Sequence, residues 1–267
     1  MSYEETMEPI SFFLLPLASF FISLLAFFSG FGLTTLLLPF FLIFLPLPIA
    51  VSATALIHLT NNLFKALLVW RQCDWKIVWK FGCISWIFSI LGAYLLTRLL
   101  FFAPLFTYSL GFKEAQITWT GLLIGFILLI SVLLEFLQKK PLGSMVAKHL
   151  AVGGALSGFF GGLSGNQGVI RSAFLIQLNL MPESFIATGV FCSLIVDISR
   201  TIVYGLNFFP EFYTIAFNGW LIGSLLAAFL GSLCGLYLLP KMTIQGMKQL
   251  VSVLVILFAL LIMAGIF

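Results

Sequence analysis

From Ile10 to Phe267 the chain offers one apolar run after another, most of them long enough to cross the roughly 30 Å hydrocarbon layer of a bilayer. Inside that layer no water satisfies the backbone, so only helices or a closed barrel can span it. The runs lack the alternating pattern of barrel strands. Only 8% of the residues are charged, whereas soluble domains carry about 25%. The chain therefore reads as an all-α polytopic membrane protein, a single transmembrane domain over 1–267 with the lipid bilayer as its surroundings. Nucleic acid is not an expected partner. The first run follows Glu4, Glu5 and Glu8 instead of a basic segment, which reads as a retained span and not a cleaved signal peptide.

Ten segments are expected. They run from about Ile10 to Ser29, Leu33 to Leu47, Ile49 to Trp70, Ile77 to Phe102, Ile117 to Leu137, Leu150 to Leu163, Gly168 to Leu180, Pro182 to Leu206, Ile215 to Leu239 and Gly246 to Phe267. Pro46 and Pro48 force a turn after the second, and an irregular loop with Pro104, Gly111, Lys113 and Glu114 follows the fourth.

The second half repeats the first. A shift of 134 positions lays Pro48, Ala53 and Thr54 on Pro182, Ala187 and Thr188. The order of glycine break, short segment, proline turn and polar helix also recurs, so we read two repeats of five segments, about 10–138 and 149–267. Lysine and arginine near segment ends gather in three linkers, 71–80, 138–149 and 240–248, which the positive-inside rule places in the cytoplasm. The N-terminus and the 207–216 loop then lie outside. This holds only if the sixth and seventh segments count separately. An odd number of segments per repeat inverts the second repeat relative to the first, an arrangement usual in secondary transporters.

The breaks themselves are Ser29-Gly30-Phe31-Gly32-Leu33-Thr34-Thr35 and Gly161-Gly162-Leu163-Ser164-Gly165-Asn166-Gln167-Gly168. The helices after them are too short to cross comfortably, which suggests re-entrant hairpins or deep kinks hinged at Gly30, Gly32, Gly162 and Gly165. Free N–H groups at Thr34, Thr35, Gln167 and Gly168 would then face a pathway and attract anions. The plainer alternative is close helix packing at the glycines, which leaves Ser164, Asn166 and Gln167 without a role.

Four charges fall within apolar segments: Lys65, Arg171, Asp197 and Arg200. Ionisable groups at that depth are functional candidates. Arg171, one turn after the second break, adds a full charge and five donors to a helix N-terminus. Asp197 and Arg200, three apart, can pair on one helix face, either as a structural lock or as part of gating. Lys65 either snorkels or couples. His58 is either a hydrogen-bonded structural group or a proton relay, and Asp197 alone could serve as a proton site, though nothing in the sequence selects that role. Asn61 and Asn62 are costly to bury unpartnered and are read as cavity-lining or helix-bridging groups. Cys192, equivalent to His58 under the repeat, is a filler or a thiol facing a sulfur compound. The four cysteines have no CxxC spacing, so metal and disulfide frameworks lack support, and no cofactor is expected.

The stretch Ser157 to Gly168, the first-half Gly30-Phe31-Gly32 with Pro39, and the Ala-Thr after each proline turn resemble the TauE/SafE family of sulfite and organosulfur anion exporters, within the 4-toluene sulfonate uptake permease superfamily. The resemblance spans both repeats. It implies export of sulfite, sulfonates or related small anions from the bacterial cytoplasm. The first half departs from the family's glycine triplet, having Leu33-Thr34-Thr35 after Gly32, so threonine hydroxyls would stand in. The expected activity is therefore non-enzymatic anion transport by alternating access, with Thr34, Thr35, Asn61, Asn62, Ser164, Asn166, Gln167, Gly168 and Arg171 holding the anion. His58, Lys65, Cys192, Asp197 and Arg200 are read as gating or coupling groups. A passive channel and a Cys192 sulfur relay are the alternatives, and a homo-oligomer fits the sequence as well as a monomer does.

Overall fold

The computed structural model describes residues 9–29, 32–111, 114–137, 149–208, 218–238 and 244–266. Ten α-helices lie among them: α1 (Pro9–Ser29), α2 (Leu33–Leu42), α3 (Leu47–Val69), α4 (Trp75–Leu99), α5 (Trp119–Leu137), α6 (Leu150–Ser164), α7 (Gly168–Leu175), α8 (Pro182–Asn207), α9 (Gly219–Leu238) and α10 (Ile244–Met263). Short 3₁₀ turns extend α3 over Trp70–Gln72 and α7 over Ile176–Leu178. Among the described residues, four helices are long and apolar enough to cross a membrane, namely α3, α4, α5 and α8. The chain is an all-α polytopic membrane protein.

Local chemistry explains the helix ends. Pro48 and Pro182 sit in the first turns of α3 and α8, where a missing N–H costs nothing. Asp74 caps α4, its Oδ1 accepting from the backbone N–H of Lys76 at 3.0 Å and Ile77 at 3.2 Å. The α6 helix stops at Gly165, whose φ of 80° is left-handed and suits glycine. The loop after α4 corrects one expectation: it is not irregular but holds a two-stranded antiparallel hairpin, β1 (Phe106–Ser109) with β2 (Glu114–Ile117). Aromatic and threonine residues in Phe106-Thr107-Tyr108 favour the extended form. The hairpin is tied to the end of α10 through Gln116 N–H to Gly265 O at 3.1 Å and the Tyr108 hydroxyl to Ala264 O at 2.7 Å.

Packing contacts give the relative direction of several helices. In α6, Gly154, Gly158 and Gly162 press in turn against the backbone of Phe81, Ser85 and Ser89 of α4, so the two helices run parallel. Their close approach depends on the glycines, since a Cβ at 158 or 162 would strike the α4 main chain. In the same way α9 runs parallel to α1, with Gly219 against Phe12, Gly223 against Pro16 and Gly231 against Phe20. The α7 helix then turns back along α6: Gln167 lies beside Gly161, and Phe174 beside Gly153. The α6–α7 pair therefore begins and ends at one face of the bundle, where α3 ends and α8 begins, joined by Asp74 N–H to the Thr188 hydroxyl at 3.0 Å. We call this the near face.

The α2 helix returns toward the opposite, far face. Its Phe41 packs edge-on against Trp220 at the start of α9, beside the start of α1. The two short helices thus enter from opposite faces, and their glycine breaks meet: the Cβ position of Gly32 is 4.0 Å from the Gly165 carbonyl oxygen. One apolar core binds the set, including Leu36, Leu37, Phe41, Ile57, Leu96, Leu128, Leu163 and Val255, each at most 2% exposed. Gly30 and the basic residues Lys139, Lys140, Lys148 and Lys241 lie outside the described residues.

Candidate functional site

A polar stripe runs along α3, where His58, Asn61, Asn62 and Lys65 follow one face at i, i+3, i+4 and i+7. Facing it, α8 carries Ser193, Asp197, Arg200 and Tyr204 at i, i+4, i+7 and i+11. The two stripes join at Asp197, which is fully buried. Its Oδ2 lies 2.7 Å from His58 Nδ1 and accepts from Asn62 Nδ2 at 2.7 Å. Its Oδ1 accepts from Arg200 Nε at 3.1 Å and from Gln167 Nε2 at 3.2 Å. Four partners converge on one carboxylate. Buried ions persist only when paired and hydrogen-bonded in this way, because stranding one costs several kcal/mol.

Arg200 is 1% exposed and reaches past Asp197 to the first break, donating from Nη2 to the Thr34 hydroxyl at 3.4 Å. It also touches the second break at Gly165. One turn farther along α8, the Tyr204 hydroxyl donates to Gly162 O at 2.5 Å. These contacts fill the space between the two breaks on the far side of Asp197.

On the near side there is instead a cavity of about 320 Å³. The starts of both short helices border it, through Gly32 and Leu33 of α2 and Gly168, Arg171 and Ser172 of α7. The α3 stripe supplies His58, Asn61, Asn62 and Lys65, and α8 supplies Gly189, Val190 and Ser193. Leu175, Phe185 and Ile186 line it toward the near face. Arg171 is fixed there by Nη1 donating to the Ser193 hydroxyl, and its Nε lies along the bare flank of Gly189. Asn61 Oδ1 accepts from Ser232 of α9 at 3.1 Å, and Ser232 in turn bonds Ser23 of α1 at 2.7 Å. Two cations on the wall, Lys65 and Arg171, come from different helices, and among the described residues no carboxylate lines the cavity.

The model for the family described as "Sulfite exporter TauE/SafE" matches residues 15–262. The chain belongs to the TauE/SafE sulfite exporter family. No curated protein and no solved structure matches it. In this TauE/SafE protein the residues expected to hold an anion divide into two groups. Asn61, Asn62, Gly168 and Arg171 line the cavity, joined by His58 and Lys65.

Thr34, Thr35, Ser164, Asn166 and Gln167 are each at most 2% exposed and lie behind the wall instead of on it. The left-handed turn at Gly165 folds the second group back into protein: Asn166 Nδ2 donates to Ser164 Oγ at 3.2 Å, and Gln167 Nε2 reaches Asp197. Cys192 is likewise off the wall, buried against Val78 and Phe81 of α4. Nearby Cys73, in the linker between α3 and α4, has its thiol pushed up to about 11, chiefly by burial, and stays protonated at neutral pH. Gly162 is a packing glycine against Ser89, whereas Gly165 is the turn. Ser193, Ser172, Ser232, Gly189 and Tyr204 were not singled out from sequence. The signal for Ser193 and Tyr204 was their register with Asp197 and Arg200 on α8.

Proposed function

We propose that this TauE/SafE protein is a secondary transporter that exports a small sulfur-containing oxyanion, sulfite or an organosulfonate, from the bacterial cytoplasm. The observation that carries the reading is the cavity wall: Lys65 and Arg171, the amides of Asn61 and Asn62, the Ser193 hydroxyl and the starts of two helices surround one space that, among the described residues, no carboxylate lines. Such an environment favours an oxyanion through charge, donors and helix dipoles together. Arg171 contributes most, since its planar fork matches oxyanion geometry and Ser193 holds it in place.

Alternating access follows from two inverted repeats rocking about the meeting point of their breaks. Several contacts support this reading. Exchanging the halves maps the α1–α9 pair onto α6–α4, and the α3–α8 and α5–α10 pairs onto themselves. The short helices also enter from opposite faces. With the near face cytoplasmic, as the basic linkers favour, the cavity is the inward-facing site, and Arg200, Thr34 and Tyr204 form the outward seal. His58 and Asp197 sit where proton uptake would alter both wall and seal.

The test is anion flux in vesicles for sulfite, thiosulfate, an alkylsulfonate and chloride, with and without a proton gradient, in wild type and Arg171→Ala. Saturable sulfite or sulfonate flux should fall by at least about a hundredfold in the variant, while its unfolding temperature in detergent stays near wild type. Wild-type flux through folded Arg171→Ala would sink the proposal.

A further inference from the structure

Three tryptophans and three basic residues fall within eleven positions where α3 turns into α4 at the near face: Trp70, Arg71, Trp75, Lys76, Trp79 and Lys80. All six side chains are exposed, Trp79 most of the tryptophans at 68%. The corner that carries them is held firmly. Asp74 Oδ1 accepts from the N–H groups of Lys76 and Ile77, and the Asp74 N–H donates to the Thr188 hydroxyl. Trp75 rests on Phe191 of α8 with ring centroids 4.7 Å apart, and the Arg71 guanidinium lies over the Trp70 ring at 5.3 Å. Among the described residues no carboxylate comes within ion-pair distance of Arg71, Lys76 or Lys80. Glu183, on the first turn of α8, borders a pocket beside Gln72 and pairs with none of the three.

Along α4 the pattern then changes. Lys76, Lys80, Cys83, Ile87 and Ile90 follow one another at helical spacing, so one exposed stripe begins basic and becomes apolar. Trp75, Trp79 and Trp86 form the stripe beside it. The other side of α4, through Phe81, Ser85 and Ser89, is covered by α6. A soluble oxyanion would use only the basic end of such a stripe. A membrane lipid matches its whole length, with phosphate at the lysines, an acyl chain along the apolar part, and tryptophan at the boundary where its amphipathic ring prefers to lie. We infer that this corner is a binding surface for an acidic phospholipid, with Arg71, Lys76 and Lys80 meeting the head group and Trp79 seated at the top of the chain. A zwitterionic head would bring its own ammonium against the three cations, so the preference is for net negative charge. None of these residues lines the cavity, and the inference stands apart from the transport reading.

The experiment titrates the full chain in detergent with phosphatidylglycerol or phosphatidylcholine of the same acyl chains and follows the unfolding temperature, which rises with any ligand that binds the folded state. Wild type should reach half of its maximal shift at a phosphatidylglycerol concentration at least about tenfold lower than for phosphatidylcholine. That ratio should shrink at high salt. The triple variant Arg71→Gln, Lys76→Gln, Lys80→Gln should lose the ratio. Lys80→Gln alone should lower it about threefold, which keeps the test open if the triple variant does not fold. Arg98→Gln, at the far end of the same helix, should leave it unchanged. Equal response of wild type to the two lipids overturns the proposal, and a full ratio in folded triple variant or in Lys80→Gln overturns the placement at this corner. Stabilisation by glycerol phosphate equal to that by phosphatidylglycerol would overturn the lipid assignment in favour of a soluble phosphate.

Discussion

At the first glycine break, Gly32 sits in extended backbone at φ −65°, and the nearest atom to its Cβ position is 3.7 Å away. At the second, Gly165 is left-handed at φ 80° and wedged between Thr34 and Arg200. Both breaks open onto the start of a short helix, yet the polar groups they bring differ in fate. The second delivers Gly168, Arg171 and Ser172 to the cavity, whereas among the described residues the first gives it Gly32 and Leu33. Thr34 points the other way and is held by an arginine from the opposite half. Two similar glycine breaks are thus put to unequal use, with the second bringing polar side chains to the cavity and the first turning its threonine toward Arg200. A similar sequence pattern does not carry the same chemistry, because the side chains that follow each break decide what it meets.

The strongest way to break this comparison is to remove the group both sides share. Asp197 holds Gln167 of the second break directly and, through Arg200, Thr34 of the first. Asp197→Ala would strand a buried guanidinium, so we expect a loss of about 3–5 kcal/mol in unfolding experiments in detergent. Adding Arg200→Ala should recover part of that loss. Wild-type stability in the single variant would mean that the breaks are held together by packing alone.

A second pair of substitutions sharpens the difference between the glycines. Gly165→Ala forces a left-handed backbone at a cost of about 1–2 kcal/mol before any clash, and its Cβ would then meet the Thr34 side chain at 2.5–2.9 Å. Gly32→Ala should stay within about 0.5 kcal/mol of wild type, since its backbone and surroundings accept a methyl group. Thermal unfolding of the two variants side by side, with sulfite flux as the second readout, checks the prediction. Equal effects at both positions would erase the asymmetry.

Much of this architecture could be read from sequence because it depends on local physics. Apolar runs long enough to be helices are helices, and Pro48 and Pro182 fall in the first turns of helices, where proline is best tolerated, although Pro16 and Pro39 sit inside α1 and α2. The Asp197–Arg200 pair follows from three-residue spacing on one helix. What sequence could not supply was rotation. Whether Thr34 and Thr35 face a cavity depends on how the short α2 helix is turned by its neighbours, and here they are turned inward. Cys192 stands at the position equivalent to His58, yet one faces α4 and the other the cavity. His58 and Asp197 lie 139 residues apart, so their contact needs the fold. Ser193 was hidden for another reason: membrane helices carry many serines that bond their own backbone, as Ser19, Ser131 and Ser199 do here.

The smallest effect expected is at Thr34 itself. Its hydroxyl accepts from Arg200 Nη2 at 3.4 Å, near the long limit for a hydrogen bond, so Thr34→Val should cost only about 0.5–1 kcal/mol. The functional consequence should be clearer than the stability change, because the contact ties the first break to α8 where the proposed outward seal lies. Chloride leak through reconstituted vesicles should rise in Thr34→Val and return to the wild-type level in Thr34→Ser, which keeps the hydroxyl. If the two variants leak alike and match wild type, Arg200 does not close the far side through the first break. The seal would then rest on Tyr204 and on the tight fit at Gly165, and the first break would have a packing role only.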